Sequence, residues 1–227
     1  MIATQAAVSQ GCVFMSSGLL DILRLATVIP VIVIDDVRHA APLAEALVAG
    51  GLPVLEVTLR TPVALDAVAA MRRAVPNAIV GVGTITQASH VQSAVDAGAQ
   101  FGVSPGLHPD LVAATANANL PYLPGISTVS DLMRARLLGL SLCKFFPAQL
   151  AGGVAMLRTF YSVIPDVSFC PTGGIDARNA GEFLALPNVV CVGGSWVTPS
   201  ALLRAGDWLQ IRMLARDAAA LAPAARS

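Results

Sequence analysis

Lys144 is the residue whose surroundings least fit its type. It lies in the run Ser141-Leu142-Cys143-Lys144-Phe145-Phe146-Pro147, where the neighbours are those of a buried strand and the proline ends it. Taking an ammonium out of water is costly unless the group is paired or gives up its proton. The residues leave two readings open. In one, Lys144 reaches the strand's rim as a cation and holds a phosphate or carboxylate. In the other, burial and a neighbouring cation favour the neutral amine, which is a nucleophile for ketones and leads to a Schiff base.

A second polar stretch is Leu55-Glu56-Val57-Thr58-Leu59-Arg60-Thr61. In a strand the side chains alternate, so Glu56, Thr58 and Arg60 share one face and Leu55, Val57 and Leu59 the other. The apolar face suits a layer beneath helices, which leaves the polar face for an interior. Glu56 and Arg60 at i and i+4 are about 13 Å apart along an extended chain, a distance at which a direct ion pair accounts for them poorly. Gly81 and Gly83 leave room beside the next strand, and Thr84 adds a hydroxyl at its end. Pro105-Gly106 closes another strand as a turn. Cys-Pro-Thr-Gly-Gly-Ile (170–175) and Cys-Val-Gly-Gly-Ser-Trp (191–196) each place a Gly-Gly pair at a strand-to-helix junction. Two such turns on neighbouring strands, beside helix N-termini, form an expected phosphate cradle.

Metal chemistry finds no such pattern. His39, His90 and His108 fall in helical or loop segments, remote from one another and from any carboxylate cluster, and read as surface or structural residues. Cys12, Cys143, Cys170 and Cys191 show no C-x-x-C spacing, and three of them lie in strand-like runs, as small buried hydrophobes do.

The elements that must position these residues alternate. Strand-like runs occur at 28–34, 53–59, 78–84, 100–106, 121–126, 141–147, 167–174 and 188–194, at intervals of roughly 20 to 26 residues. Between them, residues 41–50, 63–75, 90–99, 111–120 and 130–140 carry apolar side chains at helical spacing. Gly50, Gly98, Asn119 and Gly139 stand where helices end, and Thr61-Pro62 and Thr198-Pro199 read as N-caps with a first-turn proline. Alternation of this kind implies parallel strands joined by right-handed crossovers. Eight even units predict a (β/α)8 TIM barrel, preceded by an extra helix near Leu19–Ala26 that covers the bottom. An open doubly wound sheet would want a Gly-rich turn after the first strand, where the chain has Ile34-Asp35-Asp36.

Composition agrees with one large core. Hydrophobic residues make up 55% of the 227, charged residues 12%, and 14 basic residues balance 14 acidic ones. Nothing points to a nucleic-acid or anionic-membrane partner. The mean hydropathy of +0.70 is not concentrated in any apolar run long enough to span a bilayer. Residues 1–18 lack a secretory pattern and read as a flexible extension ahead of a single domain over 19–227, with the cytoplasm as the simplest compartment.

The stretches PVIVID, LEVTLRT, IVGVGT, FGVSPG, LPGISTVSDLM, CKFFPAQLAGG, FCPTGGI and VGGSW resemble, in order and spacing, the class I aldolases of the Entner–Doudoroff pathway. These are the 2-dehydro-3-deoxy-phosphogluconate aldolases, which often double as 4-hydroxy-2-oxoglutarate aldolases. The resemblance covers about Leu19 to Arg216. It implies a homotrimeric barrel with no metal and no organic cofactor, acting on a small 2-oxo acid. It matches the Schiff-base lysine to Lys144, the general acid/base to Glu56, and the carboxylate-holding residues to Arg60 and Thr84. It matches the phosphate-binding groups to Gly173, Gly174, Gly194 and Ser195, and pocket walls to Thr172, Phe146 and Pro105. The implied reaction cleaves 2-dehydro-3-deoxy-6-phosphogluconate to pyruvate and glyceraldehyde 3-phosphate. The phosphogalactonate analogue and 4-hydroxy-2-oxoglutarate are alternative substrates. A sugar-phosphate isomerase or epimerase and a non-catalytic phosphometabolite-binding barrel are the rival functions.

Overall fold

A computed structural model of the chain describes residues 18–221. The expected N-terminal extension lies outside the described residues except for Gly18, which already belongs to a helix, α1, over 18–24. The parallel strands are β1 (Val28–Ile32), β2 (Val54–Thr58), β3 (Ile79–Gly83), β4 (Gly102–Val103), β5 (Tyr122–Leu123), β6 (Gly125–Ile126), β7 (Leu142–Phe145), β8 (Ser168–Pro171) and β9 (Val192–Gly194). The helices are α2 (Ala40–Ala49), α3 (Ala64–Ala74), α4 (Ala88–Asp96), α5 (Pro109–Asn117), α6 (Val129–Leu137), α7 (Gly153–Val163), α8 (Ala180–Leu184), α9 (Ser200–Ala205) and α10 (Trp208–Ala219).

Strands pair in the order β5-β4-β3-β2-β1-β9, and a second set in the order β6-β7-β8. Only Pro124 separates β5 from β6. It lacks the N–H a ladder needs, so the expected fifth strand at 121–126 is divided there. Its carbonyl still accepts from the Lys144 N–H at 2.8 Å. On the far side, Phe169 N–H donates to Asn188 O (2.7 Å) and Val190 N–H to Phe169 O (2.9 Å). The result is an α/β fold around a curled parallel sheet.

Alternation along the strands sorts the core into two layers. Leu55, Val57, Val80, Val82, Cys143 and Phe145 pack outward with the helices. Ile29, Val54, Phe101, Val103, Leu123, Leu142 and Cys170 face inward, capped by Leu19 and Leu23 of α1. Burying such side chains contributes on the order of 2 kcal/mol each, so a one-residue slip that exchanged the faces is strongly disfavoured. Continuing the inward face of β2 and β7 past Val54 and Leu142 brings Glu56, Thr58 and Lys144 inside, all buried.

Helix ends follow local chemistry. Thr128 and Asp131 form a reciprocal cap on α6, with Asp131 N–H donating to Thr128 Oγ1 (3.1 Å) and Thr128 N–H to Asp131 Oδ2 (3.2 Å). Gly98, Asn119 and Gly139 have positive φ just past their helices, and at the end of α2 that conformation falls to Gly51 and not to Gly50. The two expected threonine caps are displaced. Helix α3 begins at Ala64 behind Val63, and Thr61 instead donates its hydroxyl to Ile34 O at 2.6 Å. Helix α9 begins at Ser200 behind Pro199, and the Thr198 hydroxyl reaches back to Ser195 O at 3.4 Å.

Candidate active site

Glu56 on β2 and Lys144 on β7 belong to strands that do not pair with each other, yet their side chains meet inside the curl. Lys144 Nζ donates to Glu56 Oε1 at 3.2 Å, with side-chain exposures of 7% and 4%. Lys144 therefore does not reach out to solvent. The Phe146 ring lies 5.3 Å from Nζ, centroid to atom, and supplies an apolar wall with a negative face. Cys143 and Phe145, on the opposite face of β7, lock the strand into the outer core. A carboxylate within hydrogen-bond reach of an amine can take its proton directly, which leaves the nitrogen lone pair available for attack on a carbonyl carbon.

The space for the Glu56 carboxylate comes from β3. Thr58 is in register with Gly83, and a β-carbon on Gly83 would overlap Glu56 Oε1 and lie 2.8 Å from its Cγ and Cδ. Immediately after Gly83, Thr84 has φ +64°. A β-branched residue in the left-handed region is an outlier associated with functional turns, and it stands where a rim hydroxyl was expected. Arg60 is exposed at the end of β2, and the ion pair of Glu56 is with Lys144 and not with Arg60. Arg60 Nε donates to Thr58 Oγ1 at 3.1 Å, and the Thr58 hydroxyl donates to Ile32 O at 2.8 Å. The ion-pair partner of Lys144 is thus the Glu56 carboxylate.

The two Gly-Gly pairs, one shortly after β8 and one closing β9, differ in kind. Gly173 and Gly174 both have positive φ, +101° and +73°, a conformation that glycine adopts without steric penalty. Gly193 and Gly194 are needed for space, because a β-carbon on either would overlap Thr172 Oγ1 or the Trp196 ring. Thr172 is buried between them, and its register partner across the curl is Gly193. Gly173 packs against Pro147 and the Phe146 ring, where a β-carbon would lie 3.2 and 3.3 Å away. Gln149 N–H donates to Gly173 O at 3.0 Å. Gly174 and Ser195 are exposed. The helix N-termini expected beside these turns lie further on, at Ala180 and Ser200, because short loops intervene, the first tied by Asn179 Nδ2 to Gly174 O (2.9 Å).

In register terms, Pro105 lies on the far side of Gly125 from Lys144. Gly125 is the register partner of Lys144, and a β-carbon there would overlap the Pro105 carbonyl. Ser104 donates to Gly106 O at 2.7 Å, so the 2.6 Å contact with Tyr122 has the phenol as donor. Burial pushes the Tyr122 hydroxyl up to about 12, which keeps that donor protonated. Alternation along the chain gave no sign of this Ser104–Tyr122 clamp, which joins two strands.

At the end of β1, Asp36 accepts from Arg38 Nη2 and Nε at 2.6 and 3.0 Å, and these bonds hold its carboxyl down at about 2. The acidic pair Asp35-Asp36 therefore presents one carboxylate already matched by a cation. His39 stacks edge-on with Trp208, His90 bonds to Gln87, and His108 caps α5 through Nδ1. Among the described residues no cluster of three or more His, Cys, Asp or Glu could hold a metal ion.

Comparison with known proteins agrees with this geometry. A family model described as "KDPG and KHG aldolase" matches residues 19–214. A 2-dehydro-3-deoxy-phosphogluconate aldolase of Pseudoalteromonas atlantica is 48% identical over 200 residues, which cover 88% of this chain and 93% of that protein. A KHG/KDPG aldolase of Escherichia coli K12 is 49% identical over 197 residues, 87% and 92% of the two chains. Among solved structures, the 2-keto-3-deoxy-6-phosphogluconate aldolase of Zymomonas mobilis with 3-phosphoglycerate superposes with TM-score 0.87 at 46% identity, over 93% of this chain and all of that one. The KDPG aldolase of Legionella pneumophila, solved with pyruvate as a covalent carbinolamine intermediate, gives 0.87 at 44% identity over 89% and 98%. With matches of this length and identity around the same curled sheet, the chain belongs to the KDPG and KHG aldolase family.

Proposed function

We propose that this chain is a class I aldolase that cleaves 2-dehydro-3-deoxy-6-phosphogluconate to pyruvate and glyceraldehyde 3-phosphate. The observation that carries the reading is the buried amine of Lys144 at 3.2 Å from the Glu56 carboxylate. Glu56 accepts a proton from Lys144, and the free amine attacks the C2 ketone. Glu56 returns that proton to the C2 hydroxyl of the carbinolamine, and loss of water gives a protonated imine, an electron sink, with Glu56 again a carboxylate. Glu56 then takes the C4 hydroxyl proton. The C4–O electrons form the aldehyde, the C3–C4 bond breaks, and its electrons pass through C2 to nitrogen as an enamine. Protonation at C3, addition of water and loss of the amine release pyruvate and restore Lys144.

Arg60 and Thr84 hold the substrate carboxylate, for which a planar guanidinium offers paired donors. Gly173, Gly174, Gly194 and Ser195 receive the phosphate through backbone N–H groups and one hydroxyl, and Thr172, Phe146 and Pro105 wall the pocket between the two ends. The same machinery acts on 4-hydroxy-2-oxoglutarate, giving pyruvate and glyoxylate; the dual name of the Escherichia coli relative supports this second reading. The barrel is a closed eight-stranded ring with α1 across its bottom, supported by the hydrogen bonds of Phe169 and Val190 around the 188–190 segment and by the single proline between β5 and β6. The working form is a cytoplasmic homotrimer. In support, no helix among the described residues is long and apolar enough to cross a membrane, and Leu137, Leu150 and Val163 are exposed apolar side chains of the kind that subunit contacts cover.

Borohydride reduction in the presence of pyruvate is the test. Wild-type protein is expected to gain the mass of a reduced pyruvate adduct on Lys144, and Lys144→Ala to gain none. A wild type that gains no adduct, or a Lys144→Ala variant that still cleaves the substrate, overturns the reading.

A further inference from the structure

We infer that Thr58 is a positioning residue that aims the Arg60 guanidinium at the substrate carboxylate; this deepens the proposed function and rests on Arg60 being the carboxylate's partner. Thr58 is 2% exposed, on the inward face of β2 between Glu56 and Arg60. Its hydroxyl has one proton and two lone pairs. The Ile32 carbonyl, 2.8 Å away, can only accept, so the proton of Thr58 is committed there. What remains toward Arg60 is a lone pair, and Nε–H donates into it at 3.1 Å. The direction of both bonds is thus set by the backbone of β1.

A second bond acts on the same residue. Arg60 N–H donates to Thr58 O at 2.7 Å, which turns the chain sharply where β2 ends and brings the side chain back over the strand. Arg60 is exposed and, among the described residues, forms no salt bridge. Left alone, a side chain of this length would occupy many rotamers. With Nε occupied, the two terminal nitrogens are presented together to an incoming carboxylate. A carboxylate bound by that fork needs no further ordering of the arginine. The neighbouring strand gives the same spot its other edge, since Thr58 is in register with Gly83 and Thr84 follows.

The experiment compares Thr58→Val, which keeps shape and loses the hydroxyl, with Thr58→Ser, which keeps the hydroxyl. Pyruvate affinity is read from the concentration dependence of borohydride trapping, and kcat and KM from aldol cleavage. Thr58→Val is expected to weaken pyruvate binding and raise KM about tenfold, with kcat within about threefold of wild type. Thr58→Ser is expected to restore most of the loss. In an Arg60→Ala background, Thr58→Val should add nothing, whereas a merely structural role at the Ile32 carbonyl would cost the same in both backgrounds. If Thr58→Val does not fold, Arg60→Lys removes the Nε donor from an exposed position and should weaken pyruvate binding by at least the same factor. Unchanged pyruvate affinity in Thr58→Val or in Arg60→Lys, or equal losses with and without Arg60, overturns the inference. An Arg60→Ala protein with wild-type pyruvate affinity removes the underlying reading as well, so the two failures are distinguishable.

Discussion

The carboxylate of Glu56 occupies the space that a β-carbon on Gly83 would fill. Gly83 therefore leaves the room that the side chain meeting Lys144 occupies, and the size of this one residue on β3 sets the position of the proton acceptor. Gly83→Ala is expected to push Glu56 away from Lys144 and lower kcat on the order of 100-fold, since a displacement near 1 Å at a reacting group costs about that much. Gly83 lies at the end of its strand, so the melting temperature should fall only modestly. Steady-state kinetics with a parallel melt is the measurement, and unaltered kcat would show that Glu56 can act from another position.

Glu56→Gln keeps a side chain of the same length beside Lys144 and removes the proton acceptor. Aldol cleavage should slow by about 10²–10⁴-fold. Covalent trapping of pyruvate on Lys144 should persist on a longer time scale, because the amine remains. Rapid-quench turnover alongside trapping separates the two, and cleavage at the wild-type rate would assign the C4 proton to another group.

Cys143 makes the alkaline limb of stability predictable. Burial pushes its thiol from 9.0 up to about 12. An acid whose folded value is raised keeps its proton in the folded state after the unfolded chain has lost it, so stability is full below about pH 9 and falls as pH rises toward 12. The loss from this one group approaches about 4 kcal/mol at the top of that window. Melting temperature recorded from pH 8 to 12 should decline less steeply in Cys143→Ala than in wild type. Parallel declines would show that the thiol ionises without unfolding. In the native protein below pH 9, Cys143 should resist alkylation, which peptide mapping reads directly.

Tyr122→Phe removes the donor to Ser104 while leaving the ring in place. The cost is expected at about 1 kcal/mol, a melting shift of about 2–4 °C for a domain of this size. An unchanged melting temperature would mean that Ser104 is held by Gly106 alone.

Several parts of this site were legible along the chain because they depend on covalent geometry. The alternation of Leu55 to Arg60 put Glu56, Thr58 and Arg60 on one face, and the structure has Glu56 and Thr58 buried on that face. The apolar company of Lys144 left a rim cation and a buried amine both open, and the structure buries it beside Glu56. The glycines at the ends of β8 and β9 read along the chain as a phosphate cradle, whereas their close packing, Gly173 against Phe146 and Gly193 against Thr172, shows only in three dimensions. What failed was local detail that competing bonds decide. Thr61 and Thr198 look like caps, but each hydroxyl finds a carbonyl elsewhere, and Pro124 interrupts a run whose composition is strand-like throughout.

Periodicity and residue type alone determined parallel strands alternating with helices, the inward face of β2, and a lysine that had to be paired or neutral. Tertiary structure alone decided that the partner of Lys144 is a carboxylate 88 positions away in sequence, that Arg60 is tethered to Thr58, and that Thr84 turns through a left-handed conformation. The reason is physical. Which face a side chain takes follows from the pleat of its own strand, whereas which side chains meet depends on how far the whole sheet curls, and that is fixed by packing of the layers on both sides of it.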